Sequence, residues 1–220
     1  MPTKVYFVRH GASENFDALE NDEDRDVIRQ DQFSHLGLRG RTQAKKLGPK
    51  IANIMPDVAL CSHYMRAKET LDLIIKDNSY LFPNIDTNLG EIRRIVDGKS
   101  IYDDLVKKYK IWRGRVFEAC DMTSKFDPND ESHGEFRQRV VGFKRRLPVE
   151  FDGQTILVVG HSQFFAMFLT TLVHGDKLTP PNFFRTFNRY FMDHCAITTV
   201  EYTHDHGWKI IDFNDTKHLK

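Results

Sequence analysis

Short, wholly apolar runs alternate along the chain with longer stretches in which apolar residues recur every three or four positions. Val5-Tyr6-Phe7-Val8, Val58-Ala59-Leu60-Cys61 and Ile156-Leu157-Val158-Val159 are runs of the first kind, the pattern of strands covered on both faces. Residues 40–54 carry Ala44, Leu47 and Ile51 on one helical face, with Gly48-Pro49 expected to interrupt the helix. Residues 64–75 repeat the pattern with Ala67, Leu71 and Ile74, and residues 85–87 are predicted as a short third strand. Ser100 is placed as the cap of a helix bearing Ile101, Leu105, Tyr109 and Trp112, with Lys107, Lys108 and Lys110 on its other side. Residues 135–147 read as a helix. Ser162 is expected to cap a further, aromatic-rich helix over 163–173. Residues 197–202 and 209–213 read as two closing strands joined by a turn at 204–207.

Strands alternating with helices predict an α/β fold, a three-layer α/β/α sandwich around a mostly parallel central sheet. No repeat, low-complexity tract or linker divides the chain, so residues 1–220 are expected to form a single domain. The stretch 11–34 breaks the alternation: it is polar, has no period and holds the acidic run Asp22-Glu23-Asp24. Loops of that length in compact domains are usually functional or mobile.

Composition narrows the class. Hydrophobic residues make up 40% and aromatic residues 12%, enough for a substantial core. With 32 Lys plus Arg against 31 Asp plus Glu, the formal charge is +1, so no general nucleic-acid or anionic-membrane surface is expected. Anion recognition, if present, has to be local. Cys61, Cys120 and Cys195 are odd in number and lack CxxC spacing, which points to free thiols and a cytoplasmic location. No signal peptide is expected, because the first apolar run is short and breaks at Arg9, and residues 164–169 are too few to span a membrane.

Open parallel sheets bind ligands at the carboxyl ends of their strands. Three predicted ends carry polar residues suited to an anion: Arg9-His10-Gly11, the stretch from Ser62 to Arg66, and Gly160-His161-Ser162. Arginine offers planar paired donors that match phosphate oxygens. A helix beginning after His161 would direct its free N–H groups at the same anion. Taken singly, each residue has a plainer reading: a histidine at the end of a strand, a glycine in a turn, or Arg66 paired with Glu69 along its helix. His204-Asp205-His206 could in principle ligate a metal, but with Gly207 it reads as a hairpin turn. The phenylalanines near residue 187 read as core or lid packing.

The ordered set of motifs resembles the histidine phosphatase superfamily, phosphoglycerate-mutase-like branch. Arg9-His10-Gly11 after the first strand is similar to its signature. Gly40-Arg41-Thr42-Gln43-Ala44 resembles its G-x-x-Q-A helix start, and the segment from Ser62 to Thr70 its S-x-x-x-R-A-x-x-T. Leu89-Gly90-Glu91, with Gly98 following, resembles the acid-bearing segment. Glu131-Ser132, Phe136, Arg139 and Val140 resemble E-S-x-x-x-F-x-x-R-V, and Val158-Val159-Gly160-His161 the strand of the second histidine.

The resemblance implies His10 as nucleophile and Glu91 as general acid and then base, with a pKa raised by burial. It also implies His161 as a catalytic residue, with Arg9, Arg66 and His161 binding phosphate. Gly11, Ser13, Asn15, Ser162 and Gln163 are candidate substrate contacts, and neither metal nor cofactor is implied. About 92–132 would be a cap-like insert over the active site. Two departures stand out: the family often has an asparagine where Phe16 stands, and commonly Gly-Gly where Ser162-Gln163 stands. The expected activity is phosphomonoester hydrolysis through a phosphohistidine, acting on a small phosphorylated substrate or a phosphoprotein. A phosphoglycerate-mutase-type phosphotransferase and a non-catalytic phosphate-binding module remain as alternatives.

Overall fold

The computed structural model describes residues 1–16, 33–76, 80–96 and 103–220. The acidic loop 20–31, Gly98, Ser100 and Ile101 lie outside the described residues. The strands are β1 (Thr3–Arg9), β2 (Val58–Cys61), β3 (Pro83–Ile85), β4 (Thr155–Gly160), β5 (Ile197–Thr203) and β6 (Gly207–Asp215). They form one six-stranded sheet in the order β3-β2-β4-β1-β5-β6. The first four of these in the sheet are parallel to one another, whereas β5 runs antiparallel to β1 and β6 antiparallel to β5. The sheet is therefore mostly parallel, as the alternating pattern predicts, with an antiparallel edge.

Each apolar strand splits its side chains between two cores, because successive residues point to opposite faces. Val5, Phe7, Leu60, Ile156 and Val158 share one core with Phe136, Val140 and Phe143 of helix α4 (His133–Glu150) and with the phenylalanines of α5 (Ser162–His174). Val8, Ala59, Cys61, Leu157 and Val159 face the other way, onto Ala44, Leu47 and Ile51 of α1 (Leu38–Ile54) and Ala67, Leu71 and Ile74 of α2 (Met65–Ile75). Burial on both faces explains why these strands lack polar alternation.

Several expected boundaries shift. The helix α1 runs unbroken through Gly48 and Pro49, since Pro49 removes only one intrahelical donor and the buried stripe on either side holds the helix together. Strand β3 starts at Pro83 and ends at Ile85, two residues earlier than expected. The helix α3 (Asp104–Glu118) is capped by Asp103, whose side chain accepts from the Leu105 N–H. Its buried residues are Val106 and Val116, while Leu105, Tyr109 and Trp112 are only half-buried. Ser162 is not the cap of α5: His161 occupies that position with extended backbone, and Ser162 is the first helical residue. The short helix α6 (Pro180–Thr186) completes the set, packing Phe183 and Phe184 into the first core.

Candidate active site

The register of the central strands determines which residues meet. Arg9 pairs with Gly160 and Cys61 with Val159, so β1, β2 and β4 end at one level. The His10 N–H donates to Gly160 O at 2.9 Å, and the Ser62 N–H to Val159 O at 3.0 Å. His10, Ser62 and His161 consequently leave the sheet side by side, and Arg66 enters from the first turn of α2.

His10 is buried and its ring is held at both nitrogens. Nδ1 donates to the Gly11 carbonyl at 2.7 Å, while Nε2 accepts from Arg66 Nε at 3.0 Å. This pair of partners selects the neutral tautomer with its lone pair on Nε2. Arg66 also donates through Nη2 to His161 Nδ1 at 3.3 Å, and His161 Nε2 in turn donates to Ser62 Oγ at 2.8 Å. One guanidinium thus bridges both histidines, whose ring centroids lie 5.2 Å apart. Burial holds the His10 pKa well below its ordinary value, with Arg66, His161 and Arg9 adding to the effect. His161 is lowered for the same first cause, followed by Arg66.

Arg9 donates to the Met192 carbonyl at 2.6 Å and lies 4.8 Å from the centroid of Phe191. Burial brings its pKa down to about 10, against the opposing charge of Glu91. Glu91 is half-buried at the same cluster. Its Oε1 accepts from its neighbour's amide, Ile92 N–H, at 3.1 Å, and its Oε2 from the Gln163 N–H at 3.1 Å.

The glycines of two motifs have a single steric cause. A Cβ on Gly11 would stand 2.6 Å from Gly40 O, and one on Gly40 only 2.0 Å from Ala12 O. The start of α1 therefore packs backbone against backbone on the loop that follows His10. Gln43 Oε1 accepts the Ala12 N–H at 3.0 Å, and Thr70 Oγ1 accepts the Gly11 N–H at 3.0 Å while donating to Arg66 O at 2.6 Å. Thr70 thereby links the signature loop to the turn carrying Arg66. Glu69 does not pair with Arg66; it receives His35 Nδ1 at 2.6 Å, the Leu36 N–H at 2.9 Å and Arg41 Nη2 at 3.1 Å.

Arg139 secures the acid-bearing segment. It grips buried Glu131 with two bonds of 2.9 and 2.7 Å and spends its other donors on the carbonyls of Asn88, Gly90 and Glu91. The same segment is tied down by Arg94, which donates to Glu131 O and to the Tyr109 hydroxyl. His63 lies against Gly90, where a Cβ would come within 2.9 Å of its Cε1.

The remaining candidates divide. Gly11 lies within the cluster. Ser13 is buried and its hydroxyl accepts the Phe16 N–H at 3.3 Å. Asn15 is buried in the same turn. Ser162 Oγ accepts the Met192 N–H at 3.3 Å, whereas the Gln163 side chain is exposed. Phe16, standing where the family often has asparagine, packs edge-on against His194 with centroids 4.6 Å apart.

His194 is absent from the sequence-based set. Its ring lies 5.5 Å from that of His10, and burial, aided by Arg9 and Arg39, lowers its pKa to about 3. The pairing of β5 with β1 places it there; the nearest sequence signal is a polar pair, Asp193-His194, separated from β5 by Cys195 and Ala196. Among the described residues, no group of three or more His, Cys, Asp or Glu side chains is arranged to hold a metal ion. Nor is any helix of the described residues long and apolar enough to cross a membrane.

The chain resembles known proteins over most of its length. The adenosylcobalamin/alpha-ribazole phosphatase of Escherichia coli is 24% identical over 174 residues, covering 77% of this chain and 79% of that protein. The uncharacterized phosphatase PhoE of Bacillus subtilis is 23% identical over 185 residues, covering 84% and 83%. Among solved structures, Bacillus stearothermophilus YhfR superposes with a TM-score of 0.76 at 21% identity, over 99% of this chain and 100% of that one. A phosphoserine phosphatase mutant from Entamoeba histolytica, in complex with phosphoserine, gives 0.71 at 20% identity over 99% and 100%. The model of the histidine phosphatase superfamily (branch 1) matches residues 5–216, nearly the whole length, and the chain belongs to that superfamily.

Proposed function

We propose that the protein hydrolyses a phosphomonoester in two steps, with the phosphoryl group held transiently on His10. The observation that carries this reading is the pair of bonds to the His10 ring. A donor on Nδ1 leaves a neutral, unprotonated Nε2, and the low pKa keeps it so at neutral pH. When substrate binds, Arg66 turns its donors from the two histidines to the phosphoryl oxygens, joined by Arg9 and His161. Preorganised cations around the transferring group supply most of what such a reaction needs.

In the first step His10 Nε2 forms the N–P bond as the P–O ester bond breaks, and Glu91 gives its proton to the leaving oxygen. In the second, Glu91 takes a proton from water as that water displaces the phosphoryl group, returning neutral His10 and free phosphate. Glu91 is suited by position: it neighbours Arg9 and is held by the Arg139 clamp and by the Gln163 amide at the start of α5. Gly11, Ser13, Asn15, Ser162 and Gln163 form the surrounding wall. The segment of about 92–132 acts as a cap within one domain, and the three free thiols fit the cytoplasm. Small phosphorylated molecules are the expected substrates.

The test is hydrolysis of p-nitrophenyl phosphate in EDTA by wild type, His10→Ala and Glu91→Gln. Wild-type turnover, lost in His10→Ala, with an acid-labile phosphoenzyme trapped in Glu91→Gln, is the expected result. Turnover that survives His10→Ala, or that EDTA abolishes, would overturn the mechanism.

A further inference from the structure

Beside the phosphate cluster lies a shallow recess of about 50 Å³ lined by Ser162, Gln163, Ala166, Phe187, Asn188 and Phe191. Its position is tied to the chemistry at two points. The Gln163 amide binds Glu91 Oε2 at 3.1 Å, so the recess begins one residue from the candidate proton donor. Phe191 stacks on the Arg9 guanidinium at 4.8 Å, so its wall adjoins the phosphate clamp. Phe191 is also 59% exposed although Phe183 and Phe187, close by in sequence, are fully buried.

Among the described residues the lining is uncharged: two phenyl rings, a methyl group, a hydroxyl and two side-chain amides. A second anionic group on the substrate would find no cation among these described lining residues. A planar ring would find the Phe191 face and amide donors and acceptors at its edge. The recess is too small to engulf a bulky group, so it takes one face or edge of a ring close to the ester oxygen.

We infer that this recess receives the leaving group, and that the substrates are phosphomonoesters whose aromatic ring is attached to the ester oxygen directly or through one carbon. The inference rests on Glu91 being the leaving-group acid, and it goes further by selecting aryl and arylmethyl phosphates over carboxylated ones.

Competitive inhibition by phosphonates isolates binding from chemistry. Benzylphosphonate, ethylphosphonate and 2-carboxyethylphosphonate present a ring, a small alkyl group and an anion at the same place. Stacking contacts of this kind amount to about tenfold in affinity. Wild type is therefore expected to bind benzylphosphonate about tenfold tighter than ethylphosphonate and to bind the carboxylated probe no better than ethylphosphonate. Phe191→Ala should bring the benzyl-to-ethyl ratio close to one, and Ala166→Val, which fills the recess from its other side, should do the same should Phe191→Ala fold poorly. A wild-type ratio near one, tighter binding of the carboxylated probe, or an undiminished ratio in both variants would overturn the inference. Hydrolysis without ring preference would leave the phosphatase reading standing, whereas ring-selective binding without any hydrolysis would remove that reading and keep the recess.

Discussion

Arg66 Nε lies 3.0 Å from His10 Nε2, so the cation proposed to hold the phosphate donates to the lone pair proposed to attack it. The same guanidinium lowers the His10 pKa, second only to burial. His10 and His161 should accordingly stay neutral from pH 8 down to 5, with flat imidazole ¹H–¹⁵N shifts across that range. Arg66→Met removes the charge, and the His10 titration should move upward. A His10 resonance titrating near 6.5 in the wild type would contradict the assignment.

The grip of Arg139 on Glu131 and three carbonyls predicts a loss of both stability and rate on substitution. Breaking a buried pair of this kind costs about 3–5 kcal/mol, because the remaining carboxylate is left without its partner. Arg139→Lys should recover little, since an ammonium cannot reproduce the two-pronged bond and the carbonyl contacts. Thermal unfolding should register the first loss. The second should appear in kcat, more severely for alkyl phosphates than for p-nitrophenyl phosphate, because the acid proposed for Glu91 matters most when the leaving group is poor.

Gly40→Ala would place a methyl group 2.0 Å from Ala12 O, backbone that cannot rotate away. Overpacking at such a contact costs about 1–3 kcal/mol. The displaced loop carries His10, so kcat/KM should fall by at least about a hundredfold, in keeping with the sensitivity of reacting geometry to shifts near 1 Å. Gly114→Ala, where nothing lies within 4 Å of the added methyl, serves as the control and should be close to neutral.

His133 is enclosed by Phe117, Phe183, Phe184 and Phe187, and among the described residues its Nδ1 has no hydrogen-bond partner. Burial, with Arg94 and Arg113 adding to it, lowers its pKa to about 3. The unfolded chain takes up this proton near pH 6.5, while the folded chain resists it until pH 3. Stability from this residue is thus complete above pH 6.5 and falls as acid is added, by up to about 1.4 kcal/mol per pH unit. Urea unfolding between pH 7 and 4.5 should show a shallower decline for His133→Phe than for wild type. An unchanged slope would mean that His133 titrates normally.

The sequence by itself determined the alternation of strands and helices and which residue types stand at the strand ends. Continuous apolar runs specify strands buried on both faces, and the ends of three of them carry the arginines and histidines that an anion requires. Steric demand at Gly11 and Gly40 and the clamp by Arg139 were legible only as family motifs, because their partners lie far away in the chain. The tertiary structure decided the tautomer of His10, which depends on a carbonyl and a guanidinium meeting one ring. It also brought in His194 and Phe191, since a strand's neighbours follow from sheet order and register, and periodicity encodes which face of a strand is buried but not what lies beside it.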